Sequence, residues 1–112
     1  MAEYSSILLE KAVDELSKLP GVGKKTALRL ALHLLGEEKV ITDQLCKSLS
    51  DMRNNIVLCR RCYNISDESL CSICSNPKRN ESILCVVADM RDVLAIERTC
   101  SFDGFYDSLA SF

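Results

Sequence analysis

Tryptophan is absent from this chain, histidine occurs once, proline twice and glycine four times. No apolar run approaches the roughly 18 residues of a membrane span, which excludes a transmembrane helix from the reading. Neither charge dominates: fourteen Lys and Arg against sixteen Asp and Glu leave a formal net charge of −2. A global electrostatic pull toward nucleic acid is thereby excluded, and any such pull must come from local clusters. The start, Met1-Ala2-Glu3-Tyr4, lacks a basic region followed by an apolar stretch and does not read as a signal peptide. Only six residues are Phe or Tyr. With 47% apolar and 27% charged residues, the composition is globular rather than disordered. A chain of 112 residues suffices for one ordinary domain or two to three very small ones. Pieces below about 40 residues usually need a staple.

Cysteine is plentiful where those residues are scarce. Four of the seven form two knuckles, Cys59-Arg60-Arg61-Cys62 and Cys71-Ser72-Ile73-Cys74, separated by eight residues. Each Cys-x-x-Cys is a tight turn that aims two sulfurs at one point, and the spacer lets the second pair face the first. Tetrahedral Zn²⁺ takes four thiolates, and that closed ligand set is structural. The expected cofactor is therefore one structural Zn²⁺ held by Cys59, Cys62, Cys71 and Cys74. The competing reading is ordinary buried or disulfide-bonded cysteines, and the mostly polar spacer, Tyr63 to Leu70, weakens it. An odd cysteine count with free thiols points to a reducing compartment, most simply the cytosol.

The N-terminal third reads as two helices around a glycine turn. A helix over 5–19, capped by Ser5 or Ser6, places Leu8, Leu9, Ala12, Val13, Leu16 and Leu19 at helical spacing. Leu19-Pro20-Gly21-Val22-Gly23 breaks it, since Pro20 has no N–H and disfavours helix in the residue before it. A second helix runs from Lys24 to Leu35 with Gly36 as its C-terminal cap. Leu28, Leu32 and Leu35 are expected on the face toward the first helix. This is the pattern of a helix-hairpin-helix. Gly21 and Gly23 let a phosphate approach the backbone, and the free N–H groups opening the second helix carry its positive dipole end. Lys24 and Lys25 sit beside them, and Lys25 and Arg29, four apart, share a face. Gly21, Gly23, Lys24, Lys25 and Arg29 are the expected DNA-binding residues, taking phosphates without regard to sequence. The competing reading is a tight turn between core helices with solvated lysines. His33 reads as a packed or exposed helix residue, not a ligand.

A third helix is expected over 42–55, capped by Thr42, with Leu45, Cys46, Leu49, Met52 and Ile56 on its apolar stripe and Cys46 in the core. Arg60, Arg61, Lys78 and Arg79 around the zinc loop offer a second basic patch, or ordinary surface charge. Ile83-Leu84-Cys85-Val86-Val87-Ala88 reads as a buried strand of a parallel sheet covered on both faces. Asp89 follows, then a helix over 91–99, with Cys85 and Cys100 as small packed residues and at best one more strand near 105–109. The expected division is a helix-hairpin-helix domain at 1–56, a four-cysteine zinc finger at 57–80 and an incomplete α/β segment at 81–112.

These modules in this order closely resemble the RecR family of bacterial recombination mediators, over nearly the whole chain to about Tyr106. The carrying segments are Leu-Pro-Gly-Val-Gly-Lys-Lys-Thr-Ala-Leu-Arg-Leu-Ala, the four-cysteine loop, and Ile-Leu-Cys-Val-Val-Ala-Asp followed by Asp-Val-Leu-Ala-Ile-Glu. The resemblance implies a DNA-binding repair factor and not an enzyme, acting with RecO and RecF to load RecA at single-strand gaps. It implies ring-like homo-oligomers with hairpins packed between subunits, while the free thiols and the lack of a long apolar run are what point to a cytoplasmic location and no membrane partner. It places Lys25 and Arg29 toward DNA and identifies the α/β segment as the start of a Toprim domain. Catalytic Toprim enzymes carry a glutamate directly after that strand; here Ala88 stands there, and the later Asp-x-Asp segment is absent. The expectation is a chain truncated inside that domain, with Asp107 to Phe112 unlike the family's continuation. The alternative function is a protein–protein assembly module with only weak DNA binding.

Overall fold

A computed structural model describes residues 4–109. The chain divides into two compact units at Leu49 and Ser50.

In the first unit, helix α1 spans Ile7–Ser17 and α2 spans Lys24–Gly36. Ser6 caps α1, its side chain accepting the Leu9 N–H at 3.2 Å. The C-cap of α2 is Glu37, one residue beyond the expected Gly36. The 19–22 turn closes through a bond from Val22 N to the Leu19 carbonyl, and Gly21 takes φ +80°, a conformation an L side chain resists. The α1–α2 core is Val13 against Ala27 and Ala31, with Leu9, Leu16, Val22 and Leu28 partly buried around them. The inward face of α2 is therefore one register away from the expected Leu28-Leu32-Leu35 row. Leu28 is half-buried, but Leu32 and Leu35 are exposed. Small side chains at Ala27 and Ala31 let the two helices approach closely, and branched leucines at those positions would hold them apart.

Helix α3 spans Lys39–Asn55, starting three residues before the expected Thr42 cap. None of its residues is buried, and Leu45, Leu49 and Met52 lie exposed. Cys46 is likewise exposed, which corrects its expected place in a core. The stripe is present, but nothing among the described residues covers it.

The second unit opens with a two-residue antiparallel ladder, β1 (Val57–Leu58) against β2 (Ile65–Ser66). It closes with a parallel pair, β3 (Leu84–Val87) and β4 (Phe105–Ser108), linked through α4 (Met90–Glu97). Asp89 caps α4, its side chain accepting the Arg91 N–H at 2.8 Å. Alternation along β4 sends adjacent aromatics to different clusters. Phe105 packs with the four cysteines, and Tyr106 packs with Val87 and Val93. The expectation of a strand buried on both faces does not hold: Val87 is buried, but Leu84 and Val86 are exposed. Among the described residues this sheet has two strands, β3 and β4, and α4 covers one side of them. Cys100 is exposed with φ +56°, and is not the packed residue expected.

Candidate metal centre and nucleic-acid interface

The sulfurs of Cys59, Cys62, Cys71 and Cys74 all lie within 4.8 Å of one another. Four thiolates at Zn–S distances near 2.3 Å form a tetrahedron with edges of about 3.8 Å, and Cys62 and Cys71 Sγ already stand 3.6 Å apart. Backbone geometry sets this up. In the first knuckle, Cys59 N donates to the Asn64 carbonyl at 2.7 Å and Tyr63 N to the Cys59 carbonyl at 2.9 Å, with Tyr63 in the left-handed region at φ 62°. In the second, Ser75 N donates to the Cys71 carbonyl at 3.0 Å. N–H groups also aim at the sulfurs: Cys71 N donates to Cys59 Sγ and Cys74 N to Cys71 Sγ, each at 3.4 Å.

The electrostatics fit a dication. Burial pushes the Cys62 thiol up to about 11, and burial with its sulfur neighbours pushes Cys74 up as well. Burial opposes ionisation of Cys59 too, but N–H bonds from Cys62, Cys71 and Arg61 outweigh it and bring that thiol down to about 6. Four thiolates this close repel one another, and a central Zn²⁺ supplies the charge that lets all four ionise. A closed four-sulfur shell leaves no open position for chemistry.

In the hairpin, Gly23 is the N-cap of α2 and offers no side-chain cap, so the N–H groups opening the helix point outward without a side-chain acceptor. Lys25 and Arg29 are exposed and have no ion-pair partner among the described residues. They lie on the side of α2 opposite Ala27 and Ala31. Lys24 differs from them: its Nζ stands 3.8 Å from Asp14 Oδ1 on α1. Gly21 and Gly23 face open space, so nothing blocks a ligand from their backbone.

Residues 9–53 match the model described as RecR, helix-hairpin-helix, and residues 56–76 match that of the RecR four-cysteine zinc finger domain. Recombination protein RecR of Flavobacterium psychrophilum is 57% identical over 107 residues, covering 96% of this chain and 52% of the relative. The chain belongs to the RecR family. The same-named proteins of Porphyromonas gingivalis and Bacteroides thetaiotaomicron are 53% and 47% identical over the same shares. The chain spans about half the length of the curated relatives it matches. The four cysteines are the zinc finger of the family, with Zn²⁺ as its structural cofactor. Among the described residues no helix is long and apolar enough to cross a membrane.

The expected second basic patch breaks up in the structure. Arg79 turns inward, its side chain only 12% exposed, and pairs with Glu97. It also donates to the carbonyls of Phe102 at 3.1 Å and Gly104 at 3.3 Å. Tyr106 O–H donates to the other oxygen of Glu97 at 2.5 Å. Burial raises the Glu97 carboxyl, but the Arg79 and Tyr106 bonds outweigh that and leave it below its ordinary value. Arg61 lies over the Phe105 ring, 3.9 Å from its centroid, a cation–π contact that covers the sulfur cluster's aromatic neighbour. Sequence reading missed this clasp because its bonded members lie 9 to 25 residues apart, with no local periodicity to mark them. It also missed Asp14, which sits among ordinary polar positions of α1.

Proposed function

We propose that this chain binds DNA through its hairpin as part of a recombination and repair mediator, with Gly21, Gly23, Lys24, Lys25 and Arg29 as the contact residues. The observation that carries the reading is the pairing of Lys25 and Arg29, which have no ion-pair partner among the described residues, with an α2 N-terminus that has only a glycine cap. Outward N–H groups, a helix dipole and two cations on one side form a phosphate site that reads no bases. Family membership supports placing that site in recombination, acting with RecO- and RecF-like proteins to promote RecA loading at single-strand gaps, in the cytoplasm and on the nucleoid. On this reading the division at 1–56, 57–80 and 81–112 separates the phosphate site, the zinc staple and an α/β segment that resembles the start of a Toprim domain. Zinc held by Cys59, Cys62, Cys71 and Cys74 stabilises the fold, and the role is binding, not catalysis.

The test is anisotropy with a gapped DNA duplex across a salt series. Lys25→Ala/Arg29→Ala should bind about tenfold or more weakly, with a salt slope shallower by about 2. Affinity and slope equal to the parent's would sink the assignment.

A second reading has its own observation. A groove of about 540 Å³ lined by Leu8, Leu9, Ala12, Leu16, Leu34 and Leu35 opens on the hairpin, and its apolar walls suit assembly into a homo-oligomer. Light scattering with and without DNA separates the readings. Assembly that persists when the Lys25/Arg29 variant has no DNA affinity would show two functions on one hairpin.

A further inference from the structure

The two knuckles look equivalent in sequence, but they do not treat their sulfurs alike. After the first, left-handed Tyr63 (φ 62°) turns the chain so that the Asn64 N–H reaches Cys62 Sγ. After the second, Ser75 has no such conformation, and the corresponding Asn76 N–H goes to the Ile73 carbonyl at 3.2 Å. Cys59 Sγ accepts the Cys71 N–H, and Cys71 Sγ accepts the Cys74 N–H. Among the described residues no backbone N–H donates to Cys74 Sγ. Cys74 is also the most exposed of the four, at 8% against 0% for Cys59 and 2% for Cys62.

An N–H···S bond withdraws electron density from a metal-bound thiolate and lowers its nucleophilicity, as outer hydrogen bonds tune any ligand set. The thiolate without one keeps the most nucleophilic lone pair. We propose that Cys74 is the sulfur at which soft electrophiles attack the zinc-loaded site. With an alkyl iodide, the Cys74 sulfur forms a new S–C bond, the C–I bond breaks, and iodide leaves with the electron pair. The resulting thioether is neutral and a poor zinc donor, so the ion departs from the remaining three thiolates. The zinc staple thus has a defined weak corner, at the end of the second knuckle.

Cys71 is the natural competitor. It borders a cavity of about 580 Å³ with Ile56, Ile65, Leu70 and Met90, so a small reagent has a route to it. The cavity favours Cys71, whereas hydrogen bonding and a slightly greater exposure, 8% against 6%, favour Cys74.

The test uses the full chain carrying Cys46→Ser and Cys100→Ser, which removes the two exposed thiols outside the site. Zinc-saturated protein is treated with substoichiometric iodoacetamide, quenched, digested and mapped by mass spectrometry, while a chromogenic chelator reports zinc release. The first label is expected on Cys74, about fivefold faster than on Cys71, with zinc released at the rate of Cys74 labelling. Within the site, Cys59, Cys62 or Cys71 labelled ahead of Cys74 overturns the proposal, and so does Cys74 labelling that leaves zinc bound.

Discussion

The two units hold their chains together by different means. Among the described residues the hairpin buries Val13, Ala27 and Ala31, two of them alanines, and leaves Ile7, Leu8, Leu32 and Leu35 exposed. Its order comes from helix formation, a glycine turn and the close approach of two helices. The second unit has strands of two and four residues, too short to stand alone. It is held by four cysteines, by Phe105 and Tyr106 set on them and beside them, and by the Arg79–Glu97–Tyr106 clasp. A helical pair needs little besides side-chain contact. A knuckle of turns needs a ligand, because its backbone geometry gains little from local propensity.

The largest expected effect separates the two. A structural zinc contributes on the order of 10 kcal/mol to folding, comparable to the whole stability of a small domain. Chelation should therefore abolish hydrogen-exchange protection across 57–109, while amides in α1 and α2 keep theirs. Protection lost equally from both, or kept by the zinc loop, would break the contrast.

Glycines provide the next test, because each unit uses them differently. Gly104 is needed for space: an added Cβ would stand 2.6 Å from the Ile83 carbonyl oxygen and 2.8 Å from the Phe102 ring. Gly104→Ala should cost about 1–3 kcal/mol by overpacking against backbone that cannot give way. Gly23 meets nothing within 4 Å, so Gly23→Ala should cost below about 1 kcal/mol, the loss of a tolerable N-cap. Urea unfolding with zinc in excess compares them, and equal costs would remove the distinction between glycine for space and glycine for approach.

The same contrast explains what the sequence made legible. The zinc ligands were readable because a metal demands four sulfurs at fixed spacing, and spacing is local. The hairpin was readable from Pro20, its glycines and the leucine rows on either side. The inward register of α2 was not: Leu28-Leu32-Leu35 and Ala27-Ala31-Leu34 are both helical rows, and only the closeness of α1 selects the alanines. The exposure of Cys46 and the open face at Leu84 and Val86 were equally hidden, since an apolar stripe says what should be covered and not whether anything covers it. Arg79 read as part of a second basic patch or as surface charge because its partners, Glu97 and two backbone carbonyls, are brought to it only by the fold.

The ion pairs give the smallest and most selective test. Arg79–Glu97 is largely enclosed, whereas Lys24–Asp14 joins two half-exposed or more exposed side chains at 3.8 Å and contributes little to stability. Its expected effect lies elsewhere, because Asp14 competes with a phosphate for Lys24 and adds a negative charge beside the α2 N-terminus. Asp14→Asn keeps the shape of the side chain and removes that competition. Thermal stability should stay within about 0.5 kcal/mol of the parent. Affinity for gapped DNA at low salt should rise about two- to threefold, with a salt slope steeper by no more than about 1 as Lys24 joins Lys25 and Arg29 on the backbone. Unchanged or weaker binding would mean that Lys24 never reaches the DNA, and the phosphate site would then consist of Lys25, Arg29 and the glycine-capped helix start alone.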